Sequence, residues 1–253
     1  MDILVVLFRT LFFYVFILII YRLMGKRVAL IGLDGSGKSA NIEKMKRDSD
    51  YSDYNFLWVR WKPTLLKPVY MLMEKKVSDK NKNIKMNVQV DGKCGVKQAE
   101  LNADYNTKAG LKGKIFRNPI MRGTWMFFAL VDYFFQFHIK TLSFILTGKN
   151  IIFDRFYLDL FVDQGINFGF SPDRISKEIQ KYRFLFPRMD NYVYIRVSPE
   201  TCYKRKNDIP NMDYLNKRYE IYEFLAKGNK WITVDGEQPF EKVNSQIKKV
   251  VLD

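Results

Sequence analysis

Histidine and cysteine are scarce in this chain, which has one histidine, His138, and two cysteines, Cys94 and Cys202, in 253 residues. A single histidine argues against a zinc site built on histidines and against a Ser–His–Asp triad. Two cysteines far apart in sequence offer no disulfide framework and suit a reducing compartment. Acidic residues are also outnumbered, 27 against 42 Lys and Arg, which gives a net charge of +15. That balance favours anionic partners such as nucleotides, membrane lipids or nucleic acid.

The first long apolar run covers residues 3–23, about the length that crosses a bilayer as a helix. Arg22 at its end and Lys26 and Arg27 after it are basic, and only Asp2 precedes it, so the positive-inside rule places the rest of the chain in the cytoplasm. No small-residue cleavage site follows, which argues against a signal peptide. We therefore predict a membrane-anchored protein with a transmembrane or membrane-associated helix at 1–24. A helix packed on the body of the protein fits the same pattern.

A glycine-rich loop at Gly32–Ser39 fits the phosphate-binding pattern G-x-x-x-x-G-K-[ST]. Val28–Ile31 before it resembles a buried strand, and residues 39–48 after it can form a helix. Glycines let successive N–H groups point at one anion, and the N-terminus of the helix adds positive potential. Lys38 is placed to reach the β- and γ-phosphates of ATP, and the hydroxyl of Ser39 is placed to bind Mg²⁺. The predicted nucleotide-binding residues are Gly32, Asp34, Gly35, Ser36, Gly37, Lys38 and Ser39.

Four more apolar runs predict strands at 55–60, 150–154, 191–197 and 231–235. The second of these ends in Asp154, whose carboxylate would act on the coordination shell of the Mg²⁺, as in a Walker-B strand. Arg60 is the last residue of the strand predicted at 55–60, and it lies at the sheet edge where open α/β proteins bind ligands. The sequence thus predicts an α/β fold with a parallel five-stranded sheet flanked by helices.

A basic cluster at 204–206 follows a helix that Ser198 is suited to cap. Arg205 and its neighbours would close over phosphates, or would form an ordinary solvated helix end. Further helices are predicted at 213–227 and 240–251.

Residues 75–117 hold 11 Lys and Arg against 4 Asp and Glu and few large apolar side chains. We predict a flexible surface insertion that contacts anionic lipid. Little aromatic interleaving argues against nucleic-acid binding. The apolar run 120–147 predicts a helix buried in the domain, since Asp132 at its centre argues against a second membrane span. Asp132 would face a cavity, or would be a capped, buried carboxylate.

Taken together, these motifs resemble the thymidylate kinase family of P-loop nucleotide kinases, from about residue 27 to 252. The P-loop carries that family's carboxylate at Asp34, and Asp154-Arg155-Phe156 is similar to its Asp-Arg-Tyr motif. Ser198-Pro199-Glu200 with the basic cluster resembles its strand end and lid. The last strand and turn, Val234–Pro239, are also similar.

The resemblance implies an ATP- and Mg²⁺-dependent phosphotransferase whose kinase domain spans 25–253. Asp34 would contact a sugar hydroxyl of the acceptor, and Arg60 and Arg155 would hold the acceptor's phosphate. Asp132 and Gln164 would complete the acceptor site, and the lid cations, Arg205 among them, would act on the transferring phosphoryl group. The resemblance also implies a homodimer, and dTMP is the acceptor that it favours.

Three departures from the family pattern fall in the acceptor half. Tyr133 replaces an arginine that helps to recognise thymine, Trp61 and Lys62 alter an Arg-Glu-Pro turn, and Val162-Asp163 precedes Gln164 where the family has Ala-Tyr. Two alternatives therefore stay open beside a nucleoside monophosphate kinase. One is a kinase for a sugar or lipid-linked acceptor in surface-polysaccharide synthesis, and the other is a nucleotide-binding scaffold without catalysis.

Overall fold

The computed structural model describes residues 25–64, 67–68, 71 and 93–253. Within them one sheet has the strand order β2-β3-β1-β4-β5, with every neighbouring pair parallel. The strands are β1 (Arg27–Ile31), β2 (Tyr54–Trp58), β3 (Asn150–Asp154), β4 (Asn191–Arg196) and β5 (Ile232–Asp235). This confirms the predicted parallel five-stranded sheet.

Helices connect the strands and cover the sheet. Consecutive residues of β1 and β3 are buried, as in parallel strands covered on both faces. The helices are α1 (Lys38–Met45), α2 (Lys93–Ile115), α3 (Pro119–Leu146), α4 (Tyr157–Phe168), α5 (Pro172–Tyr182), α6 (Pro199–Arg205), α7 (Met212–Asn229) and α8 (Phe240–Leu252). Ser198 caps α6 as predicted, because its side chain accepts a hydrogen bond from the Thr201 amide.

β1 lies at the centre of the sheet between β3 and β4, neither of which is its neighbour in sequence. The chain therefore runs outward in opposite directions on the two sides of β1, and a crevice forms at the carboxyl ends of the central strands. The P-loop follows β1 and Arg155 follows β3, where Leu30 and Asp154 are paired in register. The topology thus brings the two motifs to the same edge.

Two helices differ from the predictions. Where a flexible basic insertion was expected, residues 93–115 form α2, a helix that packs through Tyr105 on Tyr214 of α7 at 5.7 Å between ring centroids. Lys, Ala, Leu and Gln favour helix, so the composition that suggested a loop also suits this element. Residues 75–92 lie outside the described residues.

The expected buried helix is present as α3, but only one of its faces is buried. Ala129, Tyr133 and Phe137 are almost fully buried, whereas Phe135 is 56% exposed and Ile139 is 74% exposed. A long apolar run does not show which side of the helix is covered. The exposed side leaves an apolar surface along α3.

The prediction of a membrane-anchored protein is corrected by the structure. Across 25–64, 67–68, 71 and 93–253, no helix combines the length and apolar character needed to cross a bilayer. The run 3–23 and the predicted helix at 1–24 lie outside the described residues.

Gly165 on α4 is expected to be essential for packing against α5. A Cβ added there would lie 2.4 Å from Cγ1 of the buried Ile175, whereas a Cβ at Gly123 on α3 meets nothing within 4 Å. Gly123→Ala should stabilise the protein by up to about 1 kcal/mol through helix propensity. Gly165→Ala should be about 1–3 kcal/mol less stable than Gly123→Ala because of overpacking. Urea unfolding of both variants measures the difference, and equal stabilities would show that this contact is not tight.

Candidate active site

The P-loop joins β1 to α1 in a conformation that needs glycine. Gly35 has φ 91°, and a Cβ there would lie 2.6 Å from the carbonyl oxygen of Cys202 on α6. Gly37, which precedes α1, has φ 89°. Both values are in the left-handed region that side chains rarely adopt. The loop therefore curls as the sequence motif predicts, and α6 packs directly over it.

Lys38 is buried inside this loop. Its ammonium group donates hydrogen bonds to the carbonyl oxygens of Gly32 at 2.7 Å and Leu33 at 2.6 Å, and to Ser36 Oγ at 3.1 Å. Burial and the nearby charge of Arg155 lower the pKa of Lys38 to about 8, against the opposing effect of Asp34. An anionic phosphate in the loop would favour the charged amine and draw it from these carbonyls.

Ser39 and Asp154 face each other across the ends of α1 and β3. The Ser39 hydroxyl donates to Asp154 Oδ2 at 3.3 Å. Asp154 Oδ1 is buried and has no hydrogen-bond partner among the described residues. A hydroxyl beside an unsatisfied carboxylate oxygen is a donor set that suits Mg²⁺, which takes one or two protein ligands and completes its shell with water and phosphate oxygens. No cluster of three metal-ligating side chains occurs in the part of the chain described.

Asp34 and Arg155 form the ion pair at the centre of the site. Arg155 donates from Nη2 to Asp34 Oδ1 and from Nη1 to Asp159 Oδ2 at 3.2 Å, while the Tyr214 hydroxyl donates to Asp34 Oδ2 at 2.8 Å. Burial alone would raise the pKa of Asp34, but the charges of Arg155, Lys38 and Arg60 outweigh it and hold the pKa well below its ordinary value. Asp34 is therefore a fixed anion.

Arg155 also has a strained backbone, with φ 69° at a residue that is not glycine. Such a conformation costs roughly 1–2 kcal/mol, and it persists where the surroundings fix it. The turn directs the guanidinium back over the P-loop toward Asp34. The contacts with Asp34 and Asp159 are what hold it there.

A second carboxylate, Asp163 on α4, organises two more arginines. Arg218 Nη2 donates to Asp163 Oδ1 at 2.5 Å, and Arg60 Nη2 donates to Asp163 Oδ2 at 3.4 Å. Arg60 Nη1 also lies 3.9 Å from Asp34 Oδ1. Arg60 thereby links Asp34 of the P-loop to Asp163 on α4 and, through Asp163, to Arg218 on α7.

A pocket of about 710 Å³ opens beside this network. Pockets for small ligands commonly have volumes of roughly 300–1,000 Å³. Arg60, Asp163 and Tyr214 line its inner end, so the pocket adjoins Asp34. Its other walls include Tyr105 and Lys112 of α2, Trp125 of α3, and Gln164 of α4. Gln164 Oε1 accepts a hydrogen bond from Trp125 Nε1 at 2.9 Å.

Two of the predicted site residues are engaged elsewhere. Asp132 accepts hydrogen bonds from Trp61 Nε1 at 3.1 Å and from the Thr64 amide at 2.8 Å, so it fixes the loop after β2 instead of facing the cavity. Burial opposes ionisation of Asp132, and the hydrogen bonds from Thr64 outweigh it and lower the pKa. Arg205 Nη1 donates to the Gly236 carbonyl at 3.2 Å. Its neighbour Lys206 is the lid cation that approaches the site, with Nζ 4.0 Å from Asp34 Oδ1.

Several site residues were not assigned from the sequence. Asp159 and Asp163 follow Arg155 at intervals of four, and both lie on the first turns of α4. Tyr214, Arg218 and Tyr222 follow one another at the same interval on α7, and the Tyr222 hydroxyl donates to Asp159. Side chains four residues apart share one face of a helix. That spacing was the available signal, but it does not say which face meets the P-loop.

Known proteins similar to this chain are nucleotide and nucleoside kinases. No protein-family model matches it. A thymidylate kinase from Prochlorococcus marinus (strain AS9601) is 23% identical over 252 residues, which covers 90% of this chain and 96% of that protein. A structure of deoxyadenosine kinase from M. mycoides with bound dATP aligns with a TM-score of 0.51 at 18% identity, covering 90% of this chain and 100% of that one.

The parallel sheet, the P-loop and the arginine cluster beside it define a P-loop phosphotransferase. The similarity to a thymidylate kinase along almost the whole chain confirms the predicted resemblance. The chain is a P-loop kinase that resembles thymidylate kinases.

The ion pairs of Asp163 should make stability depend on acid pH. Burial opposes ionisation, but Arg218 and Arg60 lower the pKa of Asp163 below the value of about 3.9 expected in an unfolded chain. The stabilisation is then present above about pH 4 and is lost as the pH falls toward the folded-state pKa. Asp163→Asn should cost about 2 kcal/mol at pH 7, since the Asp163 side chain is 26% exposed, and the cost should shrink below pH 4.

Urea unfolding at pH 7, 5 and 3 measures this dependence. Asp173→Asn is the matched control, because Asp173 forms an exposed pair with Lys177 on α5 and should change stability by less than about 1 kcal/mol. A cost for Asp163→Asn that stays constant over this range would contradict the assigned ion pairs.

Proposed function

We propose that this protein transfers the γ-phosphoryl group of ATP to the phosphate of a nucleoside monophosphate. The observation that carries the proposal is the position of Arg60 and Tyr214, which both contact Asp34 and both line the 710 Å³ pocket. Donor and acceptor sites thus meet at the P-loop carboxylate. dTMP is the first acceptor to test, given the similarity to a thymidylate kinase.

The donor side follows from the P-loop. The backbone N–H groups of Gly32–Ser39 would bind the phosphates, and the ammonium group of Lys38 would contact the β- and γ-phosphates. Ser39 and Asp154 would hold Mg²⁺, which supplies charge neutralisation of the phosphates. Phosphoryl transfer depends mainly on positioning and charge, so Arg155 and Lys206 would act by stabilising charge on the transferring group.

The charge state of Asp34 supports an acceptor that is already anionic. A general base works best when its pKa lies near the working pH, because it must take up a proton readily. The cations around Asp34 hold its pKa far below that range. A neutral sugar hydroxyl needs such a base, whereas a phosphate oxygen attacks without one. As a fixed anion, Asp34 would accept a hydrogen bond from the acceptor's sugar hydroxyl.

Three arginines would receive the acceptor's phosphate. Arg60, Arg155 and Arg218 lie within one network with Asp34, Asp159 and Asp163. Guanidinium groups bind phosphate oxygens through paired hydrogen bonds. An incoming phosphate would compete with the carboxylates for Arg60, which is the least buried of the three. Arg60 is therefore our candidate for the residue that changes partner on acceptor binding.

Lys38→Ala tests the reaction itself. Radiolabelled ATP is incubated with Mg²⁺ and a panel of nucleoside monophosphates, nucleosides and sugar phosphates. We expect a nucleoside diphosphate product, and at least a hundredfold lower turnover in Lys38→Ala, since the charge on the phosphates is lost. Lys44→Ala is the control on the same helix, where the lysine pairs with Glu241 at the surface. Unchanged turnover in a folded Lys38→Ala, or product only from sugars, would refute the proposal.

Arg60→Gln separates acceptor from donor binding. The KM for the monophosphate should rise at least tenfold, because a phosphate-binding guanidinium is removed, while the KM for ATP should change less than threefold. Arg196→Gln is the control, since Arg196 pairs with Glu223 at an exposed position. Steady-state kinetics with each substrate varied in turn give both constants. Equal increases in both would place Arg60 outside the acceptor site.

A homodimer, implied by the family resemblance, stays part of this proposal. The apolar exposed side of α3 would provide a contact surface, with Phe127 61% and Phe135 56% exposed.

A further inference from the structure

The outer end of the acceptor pocket carries more positive charge than one phosphate at the P-loop requires. Seven Lys and Arg line the pocket against a single carboxylate among its lining residues in the described chain, Asp163. That carboxylate is engaged by Arg60 and Arg218 at the inner end. The remaining cations, Lys108, Lys112, Arg117, Arg122 and Lys217, come from α2, α7 and the segment between α2 and the first turn of α3. Lys108 pairs with Asp104 and Lys217 with Asp213 on their own helices, so the excess charge rests on Lys112, Arg117 and Arg122.

The separation between the two ends follows from α4. This helix begins just after Arg155, and Asp163, Gln164 and Asn167 succeed one another along the wall of the pocket. Arg155 contacts Asp159 on this helix, and Asn167 lies two turns further along it, about 12 Å at 1.5 Å per residue. Lys112 Nζ donates to Asn167 Oδ1 at 3.4 Å, so Lys112 lies at the far end of this helix. One phosphate cannot contact both ends.

The outer cations are also held in place. Arg122 lies over the Phe170 ring at 5.5 Å, and Lys112 is half-buried in the wall of the same pocket. Burial lowers the pKa of Lys112; the charge of Asp163 opposes this, and the charges of Lys108 and Arg218 add to it, so an anion nearby would favour the charged amine. Between the two ends stand the aromatic rings of Phe116 and Trp125, 5.5 Å apart, and the amide of Gln164. That middle section suits a flat, polar-edged ring.

We propose that the outer end is a second anion subsite, and that the preferred acceptor carries a carboxylate or phosphate at the end remote from the phosphoryl-transfer centre. The inference rests on the proposed function, because it takes the phosphate beside Arg60 and Arg155 as the reacting one. Lys112 and Arg122 hold the second anion, and the aromatic section between them and Asp163 holds the base. Specificity then depends on α2, α3 and α4.

The test uses acceptors that differ only in one charge: dTMP against 5-carboxy-dUMP, and UMP against orotidine 5′-monophosphate. Affinities are measured by calorimetry and KM values by kinetics, both in 0.1 M KCl. For at least one pair we expect the carboxylated member to bind tenfold or more tightly. Lys112→Gln and Arg122→Gln should each reduce that preference at least threefold. Lys114→Gln, which removes an exposed charge on the same helix outside the pocket, should leave the preference intact.

Each outcome decides the matter. Equal affinities within both pairs would overturn the subsite, as would variants that weaken both members of a pair to the same extent, which would indicate only general attraction of anions. Preferential binding without product from any acceptor would support the subsite while refuting the proposed reaction. Product from the monophosphates with no preference would refute the subsite alone.

Discussion

The ion pair between Asp34 and Arg155 is the interaction on which the site depends. Asp34 belongs to the loop after β1 and Arg155 to the turn after β3, and these strands are neighbours in the sheet. The pair therefore connects the phosphate-binding loop to the proposed acceptor side of the crevice. It also holds Arg155 in a left-handed conformation that a non-glycine residue rarely adopts. Lys38 and Arg60 add to the stabilisation of the charge on Asp34, and Asp159 adds to the orientation of Arg155.

The same constraint limits the chemistry. Removing two charges from water is costly unless each is paired, so every arginine near the pocket's inner end is matched by a carboxylate. Arg60, Arg155 and Arg218 are balanced by Asp34, Asp159 and Asp163. Carboxylates held in this way are poor proton acceptors, and the site is accordingly suited to an acceptor that brings its own negative charge.

The sequence predicted the sheet, the P-loop and the Asp154–Arg155 turn because these depend on local signals. Short apolar runs and a glycine pattern are set by neighbouring residues. The partners of Asp34 were not predictable in this way. Tyr214 lies 180 residues from Asp34, and nothing in the alternation of α7 distinguishes its buried polar face from its exposed one. For Asp132 the sequence left two interpretations open, a residue facing the cavity and a capped, buried carboxylate. Its hydrogen bonds from Trp61 and Thr64 agree with the second, and the apolar helix pattern does not encode this tertiary contact.

The basic segment 75–117 shows why net charge alone did not predict where its lysines lie in the structure. Lys108 and Lys112 suggested a solvated surface, yet their long apolar stems allow them to line a wall while their charged ends face an opening. Two of the three departures from the family pattern, at Trp61 and Asp163, also line the same pocket, whereas Tyr133 is buried and donates to the Val59 carbonyl. The sequence of the P-loop has little freedom to vary, because Gly35 and Gly37 adopt positive φ angles that only glycine adopts at low energetic cost. A change of the proposed acceptor would therefore come from the residues around the pocket, among them Trp61 and Asp163.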